Sequence, residues 1–340
     1  DMISKERLII MRCVRKPMAE AGVVREWRAP FHVEVRLTLS VHGRARSDPT
    51  FRVDGAGAVW RTSLTPEGPG TIRVVATTPK PLQADTGAPA GTRVLARAWG
   101  PGAAWLLDAV PAALGLYDDI SGFDLSAPGT HPVLREVVRR HPGLRLGRSG
   151  RLMEALVPAI LEQKVAGVEA QRAWRILLAK FGTPSPGPAP PGMRVFPEPK
   201  TWRRIPSWEW HRAGVEAVRA QTIVTAASVS DSLERLLTLT HEEADRKLRA
   251  IGGIGPWTSA EARQRAAGDP DAVSVGDFHL PKIVGWVLAG RQQTDDAAML
   301  ELLAPYAGHR HRVARLVELS GLGGPPRRGP RLPVRDYRRF

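Results

Sequence analysis

The sequence predicts an α+β protein in which a small antiparallel-sheet domain precedes a long run of helices. Three observations carry this. Apolar residues alternate with a period of two through the first third of the chain, helical spacing takes over after about residue 131, and a glycine turn, Gly252-Gly253-Ile254-Gly255, joins two of the later helices.

Residues 1–29 are expected to be a basic leader without fixed structure. From Phe31 the alternation His32-Val33-Glu34-Val35-Arg36-Leu37-Thr38-Leu39 predicts a strand. Turn signals at Asp54-Gly55 and Pro66-Glu67-Gly68 separate further strands over 50–53, 59–63 and 71–76, and a strand over 94–99 leads into a helix over 103–114. Residues 30–118 therefore form the α+β N-terminal domain. Residues 119–320 form the helical part, with the hairpin at 248–258. Helices are expected over 133–140, 150–181, 208–227, 230–237, 241–250, 259–267, 278–289, 295–303 and 309–319. In the second of these, Leu156, Ile160, Val165 and Val168 share much of one face. The proline-crowded segment 183–199 is expected to be a loop. Residues 321–340 make a basic, Pro/Arg-rich tail that either touches phosphates or lies solvated.

The chain has 49 Lys and Arg against 34 Asp and Glu, a net charge of +15 over 340 residues. Such an excess favours polyanionic partners through counterion release. An arginine-rich genome also produces it, so charge alone speaks to association and not to fold. The single cysteine, Cys13, excludes a disulfide within the chain and any four-cysteine zinc or iron–sulfur site. No apolar run approaches a membrane span. The reading is a soluble, cytoplasmic protein with no membrane partner.

The turn at 252–255 carries the chemistry. Leu248, Ile251 and Ile254 are apolar anchors around it, and the amides of Gly253 and Gly255 lie at a helix N-terminus, a position that holds phosphate. Asp277 follows Gly276 and precedes Phe278-His279-Leu280 at the start of another helix. An aspartate there is either a plain cap or a working carboxylate. Trp257 is either a core residue beneath the turn or a stacking face. Trp174, Trp202, Trp208 and Trp210 are core or pocket wall, whereas Trp286 sits half a turn away from Asp277 in helical angle and packs away from it.

The frame Leu248-x-x-Ile251-x-Gly253-Ile254-Gly255, with Asp277 at the matching interval, resembles the helix-hairpin-helix base-excision DNA glycosylases, most closely the bacterial DNA-3-methyladenine glycosylases of type II. That resemblance implies two all-helical subdomains with the active cleft between them and an N-terminal sheet like that of the TATA-binding protein. It further implies a catalytic Asp277, a base-facing Trp257 and Gln163, and DNA contacts from Gly252, Gly253, Ile254, Gly255, Thr258 and Lys164. Bifunctional members place a Schiff-base lysine where this chain has Trp257, so the resemblance implies a monofunctional hydrolase of alkylated purine nucleotides. No zinc or organic cofactor is implied; the hairpin carbonyls are a place for a monovalent cation. The implied partner is damaged double-stranded DNA, bound by a monomer in the bacterial nucleoid.

One departure stands out. The family inserts an apolar side chain into the duplex just after the glutamine, and here that place is Lys164; Met153 is another candidate wedge. His279 either approaches phosphates or fills the contact between subdomains, and no catalytic role is assigned to it. Two other functions remain open: a glycosylase for an oxidised, deaminated or bulky base, or a non-catalytic helix-hairpin-helix module that binds or senses damaged DNA.

Overall fold

The computed structural model describes residues 22–45, 47–77, 91–125 and 130–326. Cys13, most of the expected leader and the arginines of the expected tail lie outside them.

Five strands form one antiparallel sheet in the order β1-β5-β4-β3-β2: β1 Val23–Arg28, β2 Phe51–Val53, β3 Val59–Thr65, β4 Gly68–Thr77 and β5 Arg93–Trp99. Four of them follow the expected alternation. The first is a correction, because Val23–Arg28 pairs along its whole length with β5 although it falls in the stretch read as leader. A second correction concerns 31–39. Only α1, Val35–Leu39, forms there, and it is a helix that buries Val35, Thr38 and Leu39. The sequence satisfies both periods at once: Val33, Val35, Leu37 and Leu39 alternate, while 35, 38 and 39 share a helical face. Packing against the sheet decided for the helix.

Helix α2, Ala103–Ala113, lies on one face of the sheet, where Leu106, Leu107 and Val110 pack with Ile72, Val74, Ala96 and Ala98. Elsewhere, Trp60 stacks on Trp99 at a centroid distance of 5.4 Å, and Met193 of the proline-rich segment packs against the pair. That segment is a loop as expected, pinned by two residue pairs of β6, Thr183–Pro184, and β7, Arg194–Val195.

Next come α3, Pro132–Arg140; α4, Leu152–Leu161; α5, Gly167–Phe181; α6, Pro199–Arg204; α7, Ser207–Ala213; and α8, Ala217–Ser228. They are followed by α9, Ser230–Glu234; α10, His241–Arg249; α11, Pro256–Ala266; α12, Leu280–Ala289; α13, Asp296–Leu303; and α14, Arg310–Leu319. Two of the long expected helices are broken. Gly214 takes the left-handed conformation and ends α7. Between α4 and α5, Lys164 adopts φ 53°, so 150–181 is not one helix and its expected apolar stripe does not exist: Leu156 and Ile160 are buried while Val168 is exposed.

The helices build two cores. One unites α4 to α11 around Leu156, Trp174, Trp202, Trp210, Ile223 and Leu248. The other unites α3 with α12 to α14 around Leu134, Val284, Met299 and Val313. Trp174, Trp202 and Trp210 are thus core, and Trp208 is exposed. Trp286 packs against the second core; Asp277 precedes α12, so the helical angle expected between the two does not apply. The chain crosses from one core to the other at 267–279, and Asp277 sits at the end of that crossing.

Candidate active site at the hairpin and Asp277

The hairpin is anchored by a well-made first helix. Thr240 caps α10, accepting from the Glu243 amide at 3.2 Å while Glu243 reaches back to the Thr240 amide. Asp245 then accepts from Ser259 Oγ at 2.7 Å and from Arg263 at 3.2 Å, fixing α10 against α11. Leu248 and Ile254 are buried in the first helical core, with Ile251 packed beside them.

Gly253 alone of the three turn glycines has a positive φ, 86°, and a Cβ there would lie 2.2 Å from Thr222 Oγ1 of α8. Conformation and close approach both require glycine. Gly252 and Gly255 have no heavy atom within 4 Å of a built Cβ, so what they provide is open space against the backbone. Gly255 caps α11 with Pro256 at its first position, leaving first-turn amides without helical acceptors.

Gln163 is drawn into this turn. Its Nε2 donates to Gly253 O and to Thr258 Oγ1, both at 2.8 Å. The amide thus braces the hairpin, and its two donors are already used within the protein. Thr258 is buried, and its hydroxyl oxygen accepts from Gln163. Because the Gly253 carbonyl accepts from Gln163, a monovalent cation on the hairpin would have to share it. No cluster of three or more His, Cys, Asp or Glu side chains suited to a metal occurs among the described residues. Lys164 stands exposed at the tip between α4 and α5, whereas Met153 is buried and is no wedge.

Asp277 is the junction of the site. Its Oδ1 accepts from the amides of His279 at 2.7 Å and Leu280 at 2.8 Å, so it caps α12 from just outside, two residues later than expected for the helix start. Its Oδ2 accepts from Trp257 Nε1 at 3.0 Å. The preceding Gly276 has φ 93°, and its amide is held by both oxygens of Asp296 at 3.1 Å. Nothing in the sequence signalled this clamp from α13. His279 and Phe278 are exposed, with Lys282 Nζ 3.8 Å above the Phe278 ring.

A cavity of about 360 Å³ opens beside Asp277. Its wall brings together the crossing segment, α1, α11, α12 and α14, with Gln264, Ser274, His311, Arg315 and Glu318 among the polar groups facing it. Trp257 and Gln163 are not in this wall. They stand on the hairpin side of the carboxylate, so the two expected base contacts frame Asp277 and not the cavity. The α14 residues escaped sequence reasoning; the one available signal was the helical spacing of His311, Arg315 and Glu318.

This fold is that of the helix-hairpin-helix DNA glycosylases. The 3-methyladenine DNA glycosylase of Archaeoglobus fulgidus superposes with a TM-score of 0.67, covering 87% of this chain and 98% of that one at 16% identity. The 8-oxoguanine glycosylase/lyase of Clostridium acetobutylicum gives 0.65, covering 92% and 97% at 13% identity. In sequence, the probable bifunctional transcriptional activator/DNA repair enzyme AlkA of Mycobacterium tuberculosis is 32% identical over 176 residues, 51% of this chain. That match spans only 33% of the curated relative's length. No protein-family model matches the chain. The chain thus shares the fold of these DNA glycosylases, and about half of its length is similar in sequence to a part of the AlkA protein.

Proposed function

We propose that the protein is a monofunctional DNA glycosylase that hydrolyses the N-glycosidic bond of alkylated purine nucleotides in duplex DNA, leaving an abasic site. The observation that carries this reading is the position of Asp277, a carboxylate fixed by three donors at the mouth of a cavity large enough for a purine. The relationship to AlkA supports the same activity.

Base excision passes through an oxocarbenium-like sugar, and a carboxylate beside C1′ stabilises the developing positive charge. The C1′–N bond breaks with its electron pair going to the base, and water adds to C1′, losing its proton. A base that already carries a positive charge, as alkylated purines do, needs no strong acid to leave. Gly253, Gly255 and the first-turn amides of α11 hold a phosphate next to the extruded nucleotide, which a duplex must flip out to reach the cavity. Gln163 fixes the shape of that grip. Exposed Lys164 supplies charge to the backbone and its methylene stem to the gap left by the flipped base.

Trp257 cannot form an imine, which supports simple hydrolysis over strand cleavage. Its ring borders the sugar while its N–H positions Asp277. No helix among the described residues is long and apolar enough to cross a membrane.

Methylated DNA incubated with the protein and scored for released bases tests the reading. Release that Asp277→Asn abolishes supports it. Release that persists unchanged in the variant overturns the role of Asp277, and no release from any damaged duplex favours a binding module.

A further inference from the structure

The polar groups of the cavity fall into two sets. On α11 and the segment after it they are largely engaged within the protein. Gln264 Nε2 donates to Ala272 O at 2.8 Å and Ser274 Oγ at 3.0 Å, and Ser274 Oγ donates to Glu261 at 2.6 Å. Arg265 divides its donors between Glu261 and the Val41 carbonyl of the N-terminal domain. On this side Gln264 and Ser274 have their donors engaged, and Arg265 is held through its Nε and one Nη.

The α14 side differs. His311 is 9% exposed, faces the cavity, and has no hydrogen-bond partner among the described residues. Burial, joined by the charges of Arg315, Arg265, Arg312 and Arg263, pushes its pKa well below 6.5, so it presents a neutral ring with one donor and one acceptor. The ring therefore offers the cavity a donor and an acceptor that no group among the described residues uses. Arg315, one turn further along the same helix face, also lines the cavity. One of its nitrogens is bonded to Glu318 at 2.6 Å, which orients the guanidinium and leaves its remaining N–H groups for a ligand.

We propose that Arg315 and His311 read the edge of the extruded base, and that the cavity selects 6-oxopurines (7-alkylguanine and hypoxanthine) over 6-aminopurines such as 3-methyladenine. A guanidinium fork matches the acceptors O6 and N7 of a 6-oxopurine; with N7 alkylated, O6 still accepts. A 6-aminopurine instead points its N6 amino donors at donors. The cavity wall also lacks any Phe, Tyr or Trp, so selection falls to hydrogen bonds and not to stacking. This inference rests on the reading of the protein as a glycosylase and names the bases that its cavity prefers.

DNA treated with a methylating agent carries both 7-methylguanine and 3-methyladenine, so one reaction measures both releases. The expected result is a fall of about tenfold to a hundredfold in the ratio of 7-methylguanine to 3-methyladenine released by Arg315→Met, the scale of a lost charge-assisted hydrogen bond to O6. Arg315→Lys keeps the charge and loses the fork, and lowers the ratio too. His311→Phe shifts it in the same direction. Arg97→Met, on the exposed face of β5, leaves it alone. A ratio within twofold of wild type in all three cavity variants overturns the proposal, because a merely structural role would slow both releases together. If the wild-type protein releases neither base, the glycosylase reading fails, and calorimetry with free hypoxanthine and free adenine decides the cavity separately. Tighter binding of hypoxanthine that Arg315→Met removes upholds the base selection; equal binding, or none, sinks it.

Discussion

The indole N–H of Trp257 and the carboxylate of Asp277 form a 3.0 Å hydrogen bond that ties the helix after the hairpin to the loop that leads into the next one. The start of α11 and the carboxylate are therefore tied by a side chain that reaches across and not by the chain path alone. Orientation of this kind is where a small displacement costs large factors in rate.

Trp257→Phe keeps an aromatic face and removes the donor. The single-turnover rate of base release should fall on the order of tenfold to a hundredfold, with DNA affinity changed much less. An equal loss in both would mean that the ring acts mainly by contacting DNA.

Trp257→Lys puts a primary amine next to Asp277. Borohydride should trap a covalent protein–DNA adduct with the variant and none with the wild type. Trapping of the wild-type protein would contradict the monofunctional reading.

Gly253→Ala meets two penalties, a left-handed backbone and the Thr222 side chain. A loss of about 1–3 kcal/mol is expected from the backbone strain alone, with weaker binding to any duplex, damaged or not. Adding Thr222→Ala should relieve the crowding and only part of the loss, which thermal unfolding of the two variants will resolve.

Asp118 and Arg312 form a nearly fully buried bidentate pair at 2.6 and 2.7 Å, and Asp118 also accepts from the Leu146 amide at 2.9 Å. The pair holds α14, and with it one wall of the cavity, to the segment after α2. Asp118→Ala strands a buried guanidinium and should cost about 3–5 kcal/mol, measured by chemical denaturation.

His311 is buried and His42 half-buried, and both have pKa values pushed well below 6.5, chiefly by desolvation. Between those lowered values and 6.5 the unfolded chain binds protons that the folded one does not. Stability is therefore full above about pH 6.5 and is lost as pH falls below it. Tm should drop between pH 7 and pH 5, and His42→Asn with His311→Asn should flatten that slope. A slope unchanged in the double variant would assign the acid sensitivity to other groups.

The hairpin was legible because its constraints are local. A left-handed glycine, apolar anchors and a helix start all lie within about ten residues. Asp277 was legible as a cap for the same reason, and as a working carboxylate only through resemblance. Gln163 and Thr258 show where that reading stops. Gln163 was expected at the base and Thr258 at the DNA; the structure adds that Gln163 donates to Thr258 and to Gly253 O, a pairing across some ninety residues that no local pattern records. The helix α1 shows the same limit in the fold, since its residues fit two periods and the sheet beneath them chose one.

By itself the sequence determined the sheet strands from Thr50 to Trp99, the run of helices and the turn at 252–255, because side-chain period and glycine geometry act over a few residues. Only the tertiary structure decided which polar groups were left free. It used Gln163 and the α11 side chains to satisfy one another, and it left His311 and Arg315, from the far end of the chain, facing the cavity. Whether a buried polar group serves the fold or a ligand depends on its neighbours in space, and those come from the packing of helices that are distant in sequence.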